Sequence, residues 1–167
     1  MYSIGDLFVY GSSGACRITD IKVENFGKNE MTYYILSPVF DPKETIYVPV
    51  DNEALVSKMK RMLTPDEANE LIKSLPQKES VWIENVNQRR EAYKKIIKQA
   101  NREELLSLIK TLHERRNELK QIGKNLSVYD ERFFRHAQSI IHSEISLVLQ
   151  IPREEISSYI EKAMTAA

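Results

Sequence analysis

The stretch LTPDEANELIKSLP, residues 63–76, marks the point where the sequence changes from the pattern of strands to the pattern of helices. Thr64 and Glu67 have the spacing of a capping box, and Pro65 stands at the first helical position, so a helix is predicted to begin here. The leucine–proline pair that closes the stretch ends this helix, because a residue before proline avoids the helical conformation. The stretch therefore divides the chain into a strand-rich part and a helical part, which is an α+β fold.

Four short runs rich in β-branched and aromatic residues precede this stretch and predict strands. Turn-forming residues separate the runs, and no connection before residue 50 has the pattern of a crossover helix, so a small antiparallel β-barrel over residues 1–62 is predicted. A short helix with the sequence NEALVSKMKRM, residues 52–62, capped by Asp51, is predicted to close this domain. The predicted strands are DLFVY (6–10), ACRITDI (15–21), MTYYILS (31–37) and TIYVPV (45–50).

Helical periodicity continues through residues 63–167 and predicts an all-α bundle. Cap residues delimit the helices: asparagine or serine stands before a helical run, and glycine or proline follows it. The segment PQKE, residues 76–79, is the best candidate for a linker. After it, the predicted helices run from Ser80 to Ala100, from the Asn101 cap to Gly123, from a Ser127–Asp130 capping box to Gln150, and over 153–164 beyond Pro152.

Charge is distributed unevenly, although the chain as a whole has a net charge of zero. Residues 82–127 contain eleven Lys and Arg against six Asp and Glu, a net of +5, while the remaining segments are slightly negative. Attraction to a polyanion such as nucleic acid is therefore expected in this segment alone.

Several functional classes are disfavoured by the residues present. The single cysteine, Cys16, excludes an internal disulfide, the three histidines lack metal-ligand spacing, and no phosphate-binding or nucleophile motif occurs. The longest apolar runs are too short to span a bilayer, and the first ten residues lack the basic segment of a signal peptide. We therefore expect a cytoplasmic protein that is not an enzyme, with no cofactor, no metal, no small-molecule substrate and no membrane contact.

Three segments together resemble the CarD/CdnL/TRCF family. YSIGDLFVYGSSGACRITDI (2–21) resembles the family's opening pattern, TIYVPVDN (45–52) its last barrel strand, and GKNLSVYDERFFRHAQSIIHSEIS (123–146) a segment of the CarD/CdnL helical domain. The resemblance implies a Tudor/SH3-like barrel that binds the β subunit of bacterial RNA polymerase. It also implies a helical domain that contacts promoter DNA at the upstream edge of the transcription bubble and stabilises or tunes the open complex.

The DNA-contacting segment of the family often carries tryptophan two residues before a basic pair, where it acts as a wedge in the minor groove. Asn87 stands at that position here, and Trp82 lies five residues earlier. On a helix beginning at Ser80, Trp82 shares an apolar stripe with Tyr93, which favours core packing, while the wedge remains the alternative. The candidate DNA-contacting residues are Trp82, Asn87, Arg89, Arg90, Lys94, Lys98 and Lys124.

The last barrel run is the candidate docking edge for polymerase. Proline within a strand indicates a strand end or a sheet edge, so residues 44–49 are predicted to pair with a strand of the β subunit by β-augmentation. Side chains alternate along a strand, so one of Tyr33 and Tyr34 must face outward. The candidate polymerase-binding residues are Arg17, Tyr34, Ile46, Tyr47 and Pro49. A rival function also remains open, in which the helical bundle is an adaptor that binds another protein rather than DNA.

Overall fold

The computed structural model describes residues 2–165, and the chain divides into two compact units, Met1–Met62 and Leu63–Ala167. The first unit is a five-stranded sheet in which all neighbouring strands are antiparallel and the strand order is β4-β3-β2-β1-β5. The predicted small antiparallel β domain is thus confirmed. Its strands are Leu7–Tyr10 (β1), Ala15–Phe26 (β2), Asn29–Pro38 (β3), Ile46–Pro49 (β4) and Met59–Arg61 (β5).

The fifth strand was not expected, because residues 52–62 predict a single helix. Asn52, not Asp51, caps a one-turn helix, Glu53–Val56 (α1), and the chain then extends as β5 to pair with β1. One helical turn gains little stability by itself, whereas β1 offers backbone hydrogen bonds along its free edge. The pairing also buries Met59 in the core of the β domain while the neighbouring Lys60 stays exposed.

The core of the β domain is formed by one face of the sheet and includes Cys16. The Cys16 side chain is 0% exposed, and its Sγ donates to the carbonyl oxygen of Gly14 at 3.5 Å. Burial, with a smaller effect of Glu44, raises the pKa of this thiol to about 12. The thiolate is the reactive form of cysteine, and a thiol with this pKa remains protonated near neutral pH. Cys16 is therefore a packing residue. The other buried members of this core are Phe8, Ile18, Tyr34, Leu36, Val48 and Met59.

The second unit is a bundle in which one long helix, α5, packs against four others. The Thr64 capping box is confirmed: its hydroxyl accepts from the Glu67 N–H, and the Glu67 carboxylate accepts from the Thr64 N–H. Within residues 2–165, no helix combines the length and the apolar character needed to cross a membrane. The helices are Pro65–Lys73 (α2), Val86–Gln99 (α3), Arg102–Gln121 (α4), Val128–Leu149 (α5) and Arg153–Thr165 (α6).

Helix α3 begins six residues later than the sequence predicts, at Val86 and not at Ser80. Asn85 is the N-cap, and its side chain accepts from the Gln88 N–H. The residues before it are not helical, and the carbonyl oxygens of Ile83 and Glu84 accept from the Arg89 guanidinium at 2.8 and 3.3 Å. Trp82 therefore lies outside the helix, and the apolar stripe predicted for it is wrong.

His142 on α5 should make folding stability depend on pH. Burial, with a smaller effect of Arg153, lowers the pKa of His142 to about 4, whereas histidine in an unfolded chain titrates near ~6.5. As the pH falls, the unfolded chain therefore binds a proton at His142 at a higher pH than the folded protein does. The stability that neutral His142 contributes is fully present above a pH of about 6.5, and it is lost as the pH falls toward 4.

We expect this source to lower the free energy of unfolding by about 3 kcal/mol between neutral pH and a pH of about 4. Urea unfolding followed by far-UV circular dichroism at several pH values measures it. In the His142→Asn variant this part of the pH dependence should disappear. Identical pH dependence of the two proteins would contradict the assignment.

Candidate nucleic-acid interface and docking edge

Arg89 lies inside the helical bundle, only 6% exposed, and not on its surface. Its Nε and Nη2 donate to the two carboxylate oxygens of Asp130 at 3.1 and 3.2 Å, and its Nη1 donates to the Ile83 carbonyl oxygen at 2.8 Å. A guanidinium with its donors engaged in this way cannot also bind phosphate without uncovering a buried carboxylate. The expectation that Arg89 contacts DNA is therefore corrected: Arg89 joins the start of α3 to the start of α5.

Asp130 serves this ion pair instead of completing the predicted capping box. The Ser127 hydroxyl accepts from the Asp130 backbone N–H at 3.1 Å, as a cap requires. The Asp130 carboxylate, however, faces Arg89 and is itself only 3% exposed. A bidentate contact with a guanidinium is stronger than a hydrogen bond that the carboxylate accepts from a neutral N–H, which explains why Asp130 faces Arg89.

Trp82 is half-buried against the helical core. The guanidinium carbons of Arg89 and Arg115 lie 4.3 and 4.8 Å from the centre of its indole ring. Cation–π contacts of this kind fix the orientation of the ring. Of the two interpretations that the sequence left open, packing fits this geometry, because a minor-groove wedge requires a free apolar side chain.

The exposed face of α3 carries the remaining polar candidates. Asn87, Lys94 and Lys98 are exposed, on the side of the helix away from its buried residues. Lys94 makes a solvent-exposed contact with Glu91, 3.4 Å between Nζ and Oε1, and contacts of this type are easily exchanged for others. Lys124 is also exposed and lies in the loop before α5. These lysines can meet phosphate groups without disturbing the fold.

Other cations within residues 82–127, which we call the basic segment, hold the bundle together. Arg102 binds Glu144 through two contacts of 2.6 and 2.7 Å, and the Nζ of Lys110 donates to two backbone carbonyl oxygens at 2.9 Å. Arg116 contacts Glu131 at 2.6 Å. Both glutamates belong to α5, outside the basic segment, so part of its excess charge is neutralised by acids that sequence counting assigned elsewhere.

Arg90 occupies a position between interior and surface. Its guanidinium carbon lies 3.8 Å from the ring centre of Tyr129, which is 49% exposed at the start of α5. Sequence reasoning missed Tyr129, because 39 positions separate the two residues and no local pattern links them. Arg132 lies over the same ring at 6.0 Å. The starts of α3 and α5 thus meet at an exposed aromatic ring between two arginines.

Strand β4 lies at one end of the sheet, where the sequence placed the docking edge. The Val50 N–H donates to the Thr32 carbonyl oxygen at 2.9 Å, and hydrogen-bonded pairs alternate along an antiparallel ladder. The backbone N–H and C=O of Tyr47 therefore point away from β3. Pro49 occupies an outward-facing position as well, so its missing N–H removes no bond from the ladder.

The two tyrosines of β3 face opposite sides, and the outward one is Tyr33. Tyr34 is 4% exposed in the core, so its predicted contact with polymerase is corrected. Tyr33 stacks edge-to-face with Tyr47 at 6.0 Å and with Phe26 at 6.5 Å between ring centres. We call Phe26, Tyr33 and Tyr47 the aromatic row. Phe26 and Tyr47 are 59% and 53% exposed, so the row is an apolar surface beside the free edge.

The remaining docking candidates are divided between the two faces. Ile46 is half-buried and packs against the core, so its side chain is not offered to a partner. Arg17 is exposed and pairs with Ser37, which shares the face of Tyr33 because alternate residues of a strand point the same way. Arg17 therefore lies on the face that carries the aromatic row.

Breaking the buried ion pair should cost more stability than any surface change. We expect Asp130→Ala to lower the free energy of unfolding by about 3–5 kcal/mol, because Arg89 would remain buried without its carboxylate. Trp82 fluorescence should change as well, because Arg89 lies over its ring. Urea unfolding followed by both circular dichroism and fluorescence measures the two effects. The matched control is Asp66→Ala at an exposed position, with a cost below about 1 kcal/mol.

Comparison with known families gives two matches that together span most of the chain. Residues 2–60 match the CarD-like/TRCF RID domain, and residues 70–161 match the CarD C-terminal domain. Among curated proteins, none is similar enough to match the chain. The first match covers the five-stranded sheet except the last residue of β5, and the second runs from within α2 to within α6. This combination is that of the stand-alone members. The chain therefore belongs to the CarD family, as a CarD/CdnL-type transcription regulator that interacts with RNA polymerase.

Proposed function

We propose that this chain acts in the bacterial cytoplasm and binds the β subunit of RNA polymerase through β4 and the aromatic row. In the same complex, the helical domain contacts promoter DNA at the upstream edge of the transcription bubble through Lys94, Lys98 and Lys124. Together the two contacts change the lifetime of the open complex. The observation that carries the proposal is the pairing of a free sheet edge with an exposed apolar surface in the domain that matches the CarD-like/TRCF RID family.

The docking half of the proposal uses two kinds of contact. The outward N–H and C=O groups of Tyr47 allow a strand of the partner to extend the sheet, which supplies backbone hydrogen bonds. The aromatic row supplies apolar area beside that edge, and aromatic residues dominate binding energy at many interfaces. Arg17, exposed on the same face, adds a charge for an acidic group of the partner.

The DNA half of the proposal depends on a small number of phosphate contacts. Lysine ammonium groups bind phosphate oxygens without reading base sequence, so the contact suits promoters of different sequence. Such a contact is weak by itself. Because both domains belong to one chain, docking on polymerase raises the effective concentration of the helical domain near the DNA. Contacts made only after the strands separate would favour the open state.

Removing two of the α3 lysines should abolish most of the effect on the open complex. We expect the wild-type protein to change the half-life of the open complex formed by purified polymerase, and Lys94→Ala/Lys98→Ala to lose most of that change. Lys73→Ala/Lys162→Ala is the matched control, since both of these lysines are exposed on other helices of the bundle. The measurement is the decay of promoter complexes after addition of a competitor.

The salt dependence of DNA binding gives an independent measure of the same contacts. For three phosphates, the logarithm of the association constant should fall with the logarithm of salt concentration with a slope of about −2.7, and each lysine removed should lower its magnitude by about 0.9. A slope near zero for the wild-type protein would refute the phosphate contacts. Polymerase binding without any effect of DNA would support the rival function, an adaptor whose bundle binds another protein.

Substitutions in the aromatic row should weaken binding to polymerase. We expect Tyr47→Ala and Tyr33→Ala each to raise the dissociation constant for the isolated β subunit by about tenfold, because each removes buried aromatic area at the interface. Val23→Ala is the matched control: Val23 is 55% exposed on the same β2–β3 hairpin, where alternation places it on the opposite face from Tyr33. Full binding by Tyr33→Ala, Tyr47→Ala and Arg17→Glu would rule out this docking face.

A further inference from the structure

A groove of about 300 Å³ opens between α3 and α4 on the surface of the helical domain. The non-helical segment before α3 forms one of its walls with Val81 and Ile83, while Ile96 and Leu108 line it from the two helices. These four side chains make the groove largely apolar. Its volume lies at the lower end of the range for small-molecule sites in proteins. Neither the polymerase-docking face nor the exposed lysines of α3 contribute to it.

Tyr93 also lines this groove, and its hydroxyl group has no hydrogen-bond partner among the described residues. The side chain is 2% exposed, and its hydroxyl oxygen is buried and makes no hydrogen bond within the described residues. Leaving such a group unpaired costs on the order of 1–3 kcal/mol. Burial, with a smaller effect of Asp130, raises the pKa of this hydroxyl to about 12, so it remains neutral near physiological pH. The buried wall of the groove thus includes a neutral hydroxyl group that can both donate and accept a hydrogen bond.

The charged groups of the groove are all acidic. Glu79, Glu103 and Glu104 line it. Glu103 pairs with Lys78. Within residues 2–165, the carboxylates of Glu79 and Glu104 contact no cation. An apolar groove with two free carboxylates favours a cation and disfavours phosphates and carboxylates. The negative charge of the groove is opposite in sign to the charge of the exposed lysines on α3.

We propose that this groove binds a small primary amine with an apolar body. The body packs against Val81, Ile83, Ile96 and Leu108, and the ammonium group faces the carboxylates of Glu79 and Glu104. The amine donates a hydrogen bond to the Tyr93 hydroxyl oxygen, which gives that buried group its partner. The ligand is a free small molecule of one positive charge, and its binding does not depend on the proposed function.

Titration with three probes of equal chain length tests the charge and the shape of the ligand together. The probes are n-hexylamine, n-hexanol and hexanoate, added to the full-length protein with ¹³C-labelled methyl groups at neutral pH. We expect n-hexylamine to shift the methyl signals of Val81, Ile83, Ile96 and Leu108. Its dissociation constant should be about tenfold lower than that of n-hexanol, since a charged hydrogen bond is stronger than a neutral one. Hexanoate should bind most weakly.

Two variants separate the hydroxyl contact from the carboxylate contact. Tyr93→Phe keeps the ring and should weaken n-hexylamine binding about fivefold without loss of stability, because the hydroxyl it removes has no partner in the protein. Glu104→Gln, at an exposed position, should weaken n-hexylamine binding and leave n-hexanol binding unchanged. The matched control is Glu155→Gln, an exposed glutamate in the first turn of α6.

Three results would overturn the proposal. The first is the absence of methyl shifts with n-hexylamine, and the second is binding of hexanoate as tight as that of n-hexylamine. The third is unchanged n-hexylamine binding in both Tyr93→Phe and Glu104→Gln. None of these measurements involves polymerase or DNA, so failure of the groove and failure of the proposed function are distinguishable.

Discussion

The ion pair between Arg89 and Asp130 is the constraint on which the helical domain depends. Two charges inside a bundle are costly to remove from water, and they are tolerated only when the geometry is close and the remaining donors are satisfied. Both conditions hold: the contact is bidentate, and the third guanidinium nitrogen donates to the Ile83 carbonyl oxygen. The pair therefore fixes where α3 and α5 begin relative to each other.

The position of the segment before α3 follows from the same pair. Arg89 binds the Ile83 carbonyl oxygen and lies over the Trp82 ring, and these contacts hold the non-helical segment against the bundle, ahead of the Asn85 cap. The segment runs instead along the bundle, where Val81 and Ile83 form a wall of the groove between α3 and α4. Arg89, which the charge count assigns to the basic residues 82–127, therefore stabilises the interior of the bundle and does not add charge to its surface. The net charge of +5 counted for residues 82–127 is therefore larger than the charge available at the surface, which comes from the exposed lysines.

The two domains differ in whether their polar groups are satisfied within the domain. In the β domain, β4 leaves backbone groups free beside an apolar aromatic row, a combination that is an aggregation hazard unless a partner covers it. In the helical domain, the buried charges are paired or hydrogen-bonded internally, and the outer face of α3 stays polar. This difference agrees with the proposed function, in which the β domain docks on a protein and the helical domain makes a weaker contact with DNA phosphates.

The sequence by itself determined the features that depend on neighbouring residues: the α+β division, four of the five strands, the Thr64 capping box and the Asn101 and Ser127 caps. These follow from local hydrogen bonds and side-chain alternation. Only the tertiary structure decided that residues 59–61 are a strand, that α3 starts at Val86, that Arg89 is buried, and that Tyr33 and not Tyr34 faces outward. Each of these depends on a partner distant in sequence, β1, Asp130 or the sheet core, whose position no local pattern encodes.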